Sequence, residues 1–161
     1  MAIYSSYLRD SEENLKPYVD LLKEEPEDLF DILDELGEEY YKTCDNWNFK
    51  DWNTDYNRLS GRNLHLGVGA EYVWVELAKI AGLTYDVIYG ARLNPPASWL
   101  FWGAKRIRSE THWYTTPDQV KQVYEFLKPL KIESNTYFNA VRNFYKFASE
   151  LNQAILGSVS Y

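Results

Sequence analysis

The segment from Trp99 to Leu127 constrains the fold more than any other, because it contains the clearest helix start in the chain. Thr116 can cap a helix, Pro117 suits the first helical position, and Gln119 stands three residues after the cap, where it completes a capping box. The apolar residues that follow have helical spacing: Val120, Val123, Tyr124 and Leu127. We therefore predict a helix that begins at Pro117 and ends before Pro129.

Two strands are predicted before this helix. Trp99 to Trp102 is apolar and strand-like, and residues 105–113 alternate in polarity. In a continuous strand, side chains repeat with period two, so four polar side chains would share one face: Arg106, Arg108, Glu110 and His112. Two guanidinium groups about 7 Å apart can hold a phosphate or carboxylate, and a glutamate and a histidine can exchange protons near neutral pH. Cross-strand ion pairing explains the same pattern.

The other periodic segments predict further helices and strands. Strands are expected over 2–8 and 154–161, and helices over 10–22, 26–41, 70–81 and 134–151. Asp10 with Glu13 is the predicted start of the first helix, and Gly82 and Asn152 are the predicted stops of the third and fourth. Residues 42–63 are predicted to form a loop with a short helix, and 92–98 a loop. Residues 83–89 suit either a short strand or a restarted helix.

These patterns predict a single α+β domain over residues 1–161, with several amphipathic helices packed on a small mixed or antiparallel sheet. At 161 residues, the chain is long enough to bury a substantial core. We find no internal repeat and no linker long enough to divide it. Aromatic residues make up 17% of the chain, which suits both an aromatic core and contact surfaces that use tyrosine and tryptophan.

The acidic residues are concentrated in the first part of the chain. Residues 1–60 carry 16 acidic and 6 basic residues, a net charge of −10, and the remainder carries +3, for a total of −7. One face of the helix predicted from Pro26 carries carboxylates only. Two interpretations stay open: a solvated face that favours solubility, or a docking face for a protein partner with a basic surface. The predicted partner-binding residues are Glu24, Glu27, Asp28, Asp31, Asp34, Glu35 and Glu38.

Several classes of protein are disfavoured by composition. The one cysteine, Cys44, excludes an internal disulfide and a cysteine-rich zinc site, which fits a reducing compartment. The N-terminal residues do not resemble a signal peptide, and no stretch reaches the roughly 18 to 20 apolar residues of a membrane span. The acidic balance argues against nucleic-acid binding. We therefore expect a cytoplasmic protein that binds neither membrane nor nucleic acid.

No motif for a known chemistry is present in the sequence. The two histidines, His65 and His112, are 47 positions apart and fit no zinc motif, so a structural role is favoured for each. Cys44 lies in acidic surroundings that disfavour its thiolate. The pair Gly67 and Gly69 lacks the third glycine of a dinucleotide fingerprint and predicts only a turn. We predict no metal and no cofactor, and the sequence favours a role other than enzyme.

Four segments resemble the YfbM-like family of small bacterial proteins of unknown function. The N-terminal strand enters a helix through Ser-Glu-Glu, and residues 52–61, WNTDYNRLSG, are similar to a tryptophan-led segment of that family that ends Leu-Thr-Gly. Tyr56 stands where the family often has a histidine. The helix start within 114–127 and the Phe-Tyr helix leading to the last strand within 141–156 complete the resemblance. It implies an α+β fold and no established activity.

Two functions are compatible with these observations, besides a structural protein with no dedicated site. The first is a protein-binding module, most concretely an immunity-type inhibitor that masks a toxin enzyme, because the chain is small, acidic and rich in tyrosine and tryptophan. The second is a binding protein or enzyme for a small anionic metabolite or nucleotide, built on Arg106, Arg108, Glu110 and His112.

Overall fold

A computed structural model describes residues 4–24, 42–43, 61–67, 69–83, 93–108, 112–132 and 136–160. Five helices are found in these ranges: α1 (Glu12–Glu24), α2 (Gly69–Ile80), α3 (Trp99–Trp102), α4 (Pro117–Leu127) and α5 (Thr136–Glu150). The same ranges contain six strands: β1 (Tyr4–Asp10), β2 (Lys42–Thr43), β3 (Gly61–Gly67), β4 (Lys105–Arg108), β5 (His112–Thr115) and β6 (Ala154–Ser160). The predicted α+β class is confirmed.

The six strands form one sheet in the order β2-β3-β1-β6-β5-β4. Five of them pair antiparallel, and the two-residue β2 pairs parallel to β3 at one edge. The first and last strands of the chain, β1 and β6, lie side by side at the centre and pair over their full length, from Tyr4 with Ser160 to Asp10 with Ala154. The strands predicted near the two ends of the sequence are thus confirmed, and they hold the sheet together.

Helices cover both faces of the sheet. Alternate residues of β1, β5 and β6 face the larger core, which also receives the apolar faces of α2, α4 and α5 and the buried side chains of α3. The intervening residues face α1, whose Leu15, Tyr18 and Leu22 pack with Ala154 and Leu156 in a second, smaller core. The helix α1 therefore lies alone, among the described elements, on its side of the sheet.

Three helix ends predicted from local sequence are confirmed. Thr116 Oγ1 accepts a hydrogen bond from the Gln119 N–H at 3.3 Å, and the Gln119 side chain accepts one from the Thr116 N–H at 2.9 Å, so the capping box is complete. Gly82 ends α2 with φ +74, and Asn152 follows α5 with φ 53. Both are left-handed positions typical of a helix C-terminus.

The start of α1 differs from the prediction by one residue. Asp10 was expected to cap this helix, but it is the last residue of β1, where it pairs with Ala154. Ser11 is the cap, because its Oγ accepts a hydrogen bond from the Asn14 N–H at 3.2 Å. The Asp10 carboxylate instead accepts hydrogen bonds from the Ser11 N–H and the Asn14 side-chain amide. Pairing in the sheet thus holds the backbone of Asp10 extended.

The two strands predicted before α4 differ from those in the structure. Trp99–Trp102 is one turn of helix, because the preceding turn at 95–98 continues into it and Phe101 N–H and Trp102 N–H both donate to the Ser98 carbonyl. The segment 105–113 is not one strand: Lys105–Arg108 is β4 and His112–Thr115 is β5, these two strands pair antiparallel, and residues 109–111 lie outside the described residues. Two successive antiparallel strands can show the same alternation of polar and apolar residues as one long strand. The alternation therefore did not reveal that the chain changes direction between β4 and β5.

The strand β3 was missed by the sequence analysis, although its alternation is visible. Leu64 and Leu66 are buried and His65 between them is exposed, which is the pattern of a half-buried strand. Gly67 ends this strand and Gly69 begins α2, and the turn predicted at these glycines rests on Val68, which lies outside the described residues.

The loop predicted over 42–63 is wrong at its two described ends, because residues 42–43 belong to β2 and residues 61–63 to β3, where they pair with each other. The helix predicted over 26–41, the rest of that loop with Cys44, and residues 84–89 of the element predicted over 83–89 lie outside the described residues.

A tryptophan packed against two glycines joins the centre of the sheet to α3. Trp113 is 1% exposed and is paired in register with Gly157 of β6, which in turn is paired with Tyr7 of β1. Because Gly157 has no side chain, the indole of Trp113 lies over it and meets the Tyr7 ring edge-on, with 5.6 Å between centroids. Gly103, which follows α3 with φ +61, also lies against this indole.

We predict that Gly157→Ala destabilises the protein by about 1–3 kcal/mol, because the added Cβ would overlap the Trp113 ring. Urea unfolding of the variant and the parent measures the change. Ser158→Ala is the matched control: it is the next residue of β6, is half-buried and faces the other side of the sheet. A Gly157→Ala variant as stable as Ser158→Ala would contradict the packing described here.

Candidate functional site

The acidic residues that the sequence predicts to bind a partner lie almost entirely outside the described structure. Glu24 is the exception: it is the last residue of α1 and is exposed. The other six are Glu27, Asp28, Asp31, Asp34, Glu35 and Glu38. The partner-binding role of this acidic stretch therefore remains a prediction from the sequence. Its first residue, Glu24, is the last residue of α1.

The polar face predicted on residues 106–112 is not assembled as expected. Arg106 is exposed and paired in register with Trp113, whereas Arg108 is paired with His112. Adjacent residues of β5 face opposite sides of the sheet, so positions 106 and 108 belong to opposite sides as well, and the register is irregular between them. Glu110 lies outside the described residues. Whether these residues bind an anion stays a prediction, but they do not share one strand face.

The two histidines lie in one row across the sheet. His112 is paired with Ser158, Ser158 with Ser6, and Ser6 with His65, so the row crosses β5, β6, β1 and β3. His65 Nδ1 lies 2.9 Å from Ser6 Oγ. Three strand spacings of about 4.8 Å separate the histidines, which is too far for one metal ion. Within the described ranges, no group of three or more metal-ligating side chains is found.

An open groove of about 600 Å³ lies between α1 and the β4–β5 hairpin. Val19 of α1, Ile107 of β4 and Tyr114 of β5 form its apolar floor and belong to the margin of the smaller core. Six charged side chains and the two residues of the α4 capping box complete the lining: Glu12, Glu13, Lys16, Asp20, Lys23, Lys105, Thr116 and Gln119. Its position follows from the fold, because α1 covers the sheet up to the last strand.

The charges around this groove are not paired with one another. Three are acidic and three are basic. Among the described residues, an ion pair joins Lys79 and Glu76 on α2, away from the groove, and none joins two of the charges that line it. Glu12 and Glu13 lie in the first turn of α1, whereas Lys16, Asp20 and Lys23 follow along the helix. These side chains are therefore available to groups that enter from outside.

Tyr114 connects the apolar floor to the acidic end of the groove. Burial of the ring, followed by repulsion from the Glu12 carboxylate, raises the pKa of the Tyr114 hydroxyl from 10.0 to about 12. The hydroxyl therefore stays protonated at every physiological pH and can donate a hydrogen bond. Lys105 is paired in register with Tyr114, so a cationic and an acidic side chain flank the same ring.

Searches of family models, curated proteins and solved structures return no match to this chain. No described helix has the length and the apolar character needed to cross a membrane.

Sequence reasoning did not find the groove because its walls are distant in the chain. Residues 12–23 lie beside residues 105–107 and 114–119 because β1 pairs with β6, and β5 and β4 follow β6 in the sheet. The signal in the sequence was Ile107, an apolar residue between two arginines, followed seven positions later by the aromatic residue Tyr114. Neither residue indicates a groove without knowledge of the hairpin.

The pKa of Tyr114 gives a prediction about alkaline stability. Between pH 10 and about 12 the folded protein keeps this proton and the unfolded chain loses it, so Tyr114 contributes a loss of stability as pH rises through that window. Tyr114→Phe should reduce the slope of stability against pH there. Urea midpoints between pH 9 and pH 12 for both proteins measure it.

Glu12→Gln separates the two causes of this shift. We expect the Tyr114 midpoint to fall below 12 and to remain above 10, because burial is the larger cause. A ¹³Cζ NMR titration of tyrosine reports the midpoint directly. Glu24→Gln, at the other end of the same helix, should leave it unchanged. An unchanged midpoint in Glu12→Gln would show that Glu12 does not act on this hydroxyl.

Proposed function

We propose that this chain is a protein-binding module, most concretely an immunity-type inhibitor that neutralises a partner toxin enzyme by masking it. The observation that carries the proposal is the open groove beside α1, which has an apolar floor and a rim of charges that are not paired with one another. Apolar contact surrounded by charged groups is typical of protein recognition sites.

The length of the groove favours a polypeptide over a small metabolite. Its α1 wall extends from Glu12 to Lys23, which is about 16 Å at 1.5 Å per helical residue. An extended segment of about five residues covers the same distance. The groove is open along this wall, so a chain segment can lie in it without threading. A protein partner would therefore fill it along its length.

The acidic stretch supplies the second part of the proposed surface. It begins at Glu24, where α1 and its groove end, and continues along the sequence to Glu38. Carboxylates without compensating lysine or arginine attract a basic surface and speed encounter with it. Many toxins that act on nucleic acids need a basic surface, so an acidic inhibitor can cover such a site. The resemblance to the YfbM-like family adds no activity that conflicts with this role.

Co-expression with the product of the adjacent gene tests the proposal. We expect the two proteins to co-purify, and we expect this chain to restore growth to cells that make the partner. Glu35→Lys should weaken binding about tenfold, or about 1.4 kcal/mol, because it replaces an attraction with a repulsion. Glu125→Lys, an exposed residue of α4, is the matched control and should have no effect.

A second variant tests the groove. Val19→Trp should fill its floor and weaken binding at least tenfold, with circular dichroism and thermal unfolding confirming that the fold is kept. The proposal is rejected if the adjacent gene product neither co-purifies nor is neutralised. It is also rejected if Glu35→Lys, Val19→Trp and the Glu125→Lys control all bind equally well.

A further inference from the structure

The strand β4 is the last strand at one end of the sheet. Lys105–Arg108 is paired with β5 on one side, and no described strand is paired with it on the other. Such an edge presents backbone N–H and C=O groups to a further strand. We propose that β4 accepts an extended acidic segment of a partner protein as an added strand, a binding mode that rests on the function proposed above.

The groove lies directly beside this edge. Lys105 and Ile107 belong both to β4 and to the groove lining, and α1 forms the opposite wall. A strand added at about 4.8 Å from β4 would continue the sheet beneath α1. Every second side chain of that strand would enter the groove next to Ile107 and approach Val19. Backbone pairing and side-chain burial would therefore act together, as in other cases of strand addition.

Charge determines which segment fits. The α1 wall of the groove carries both signs, Glu12, Glu13 and Asp20 with Lys16 and Lys23, so it does not select for charge. The edge itself does, because Lys105 and Arg106 of β4 are exposed cations. Opposite charges placed directly across two strands stabilise the pairing, and like charges destabilise it. Lys105 and Ile107 are on the groove side of β4, whereas Arg106, paired in register with Trp113, is on the other side. The fitting segment therefore alternates apolar side chains, which enter the groove beside Ile107, with carboxylates, which meet Arg106.

The same cations oppose pairing with a second copy of this chain. If two β4 edges met, Lys105 and Arg106 of one copy would lie beside Lys105 or Arg106 of the other. Lysines at edge strands are a known protection against such self-association. The occupant is therefore a different, acidic chain. The acidic stretch that begins at Glu24 and the β4 edge have opposite charge, so they would contact different parts of one partner.

A panel of seven-residue peptides that alternate glutamate with valine or isoleucine tests this inference. Fluorescence anisotropy of labelled peptides measures affinity, and amide hydrogen exchange of residues 105–108 locates the contact. We expect saturable binding, slower exchange at β4, and affinity at least tenfold above that of the same peptides with lysine in place of glutamate. The double variant Lys105→Glu/Arg106→Glu should reverse that preference. Lys128→Glu/Lys131→Glu, two exposed lysines elsewhere, is the control and should preserve it.

Backbone methylation separates strand addition from simple groove filling. Two versions of the best peptide carry N-methyl groups on alternate residues, one version for each edge of the peptide. Strand addition predicts that one version loses binding and the other keeps it. The inference is overturned if no unmethylated peptide of the panel binds, or if both methylated versions bind equally well. A dimer of this chain that protects residues 105–108 without peptide would also overturn it.

The two proposals fail in different ways. If the adjacent gene product binds and Glu35→Lys weakens it while no peptide binds, strand addition at β4 is rejected and the proposed function stands. If acidic peptides bind at β4 but the adjacent gene product is neither bound nor neutralised, the function is rejected and the peptide site stands.

Discussion

The packing of Trp113 over Gly157 is the constraint on which the described structure depends. Gly157 lies between Trp113 and Tyr7 in one row across three strands, and only the absence of a side chain there allows the two rings to meet. The contact joins β5 to the central pair β1 and β6, which come from opposite ends of the chain. Edge-to-face aromatic pairs add about 0.5–1.5 kcal/mol beyond the area that they bury.

The cost of this arrangement is visible at the indole nitrogen. Trp113 Nε1 is buried and has no hydrogen-bond partner within the described structure, whereas the Tyr7 hydroxyl donates to the Leu100 carbonyl at 2.8 Å. An unsatisfied buried donor costs about 1–3 kcal/mol. The fold keeps it, so the apolar contacts of the ring with Gly103, Gly157 and Tyr7 must outweigh that cost. The same anchoring directs the next residue, Tyr114, to the opposite face, where it forms the floor of the groove.

The sequence predicted what depends on neighbouring residues and missed what depends on distant ones. Thr116 with Gln119, Gly82 and Asn152 determine helix ends through hydrogen bonds a few positions away, and all three ends are as expected. The alternation over 105–113 is local too, but whether it belongs to one strand or to two is decided by pairing with β6. Asp10 is a second example of a distant contact that overrides a local preference, because its pairing with Ala154 prevails over its tendency to cap a helix.

The order of the strands shows how the acidic and basic segments of the sequence are connected to the sheet. The acidic stretch connects the end of α1, at Glu24, to β2, which is at one edge of the sheet, whereas the cationic strand β4 is at the other edge. A net charge of −7 would attract a basic partner from a distance, but over contact distances the cationic strand β4 acts separately from that overall charge, because screening at physiological salt extends only about 8 Å. A partner that carries both a basic surface and an acidic strand could satisfy both regions in one orientation. Charge on this chain would then determine how the partner is oriented as well as how fast it arrives.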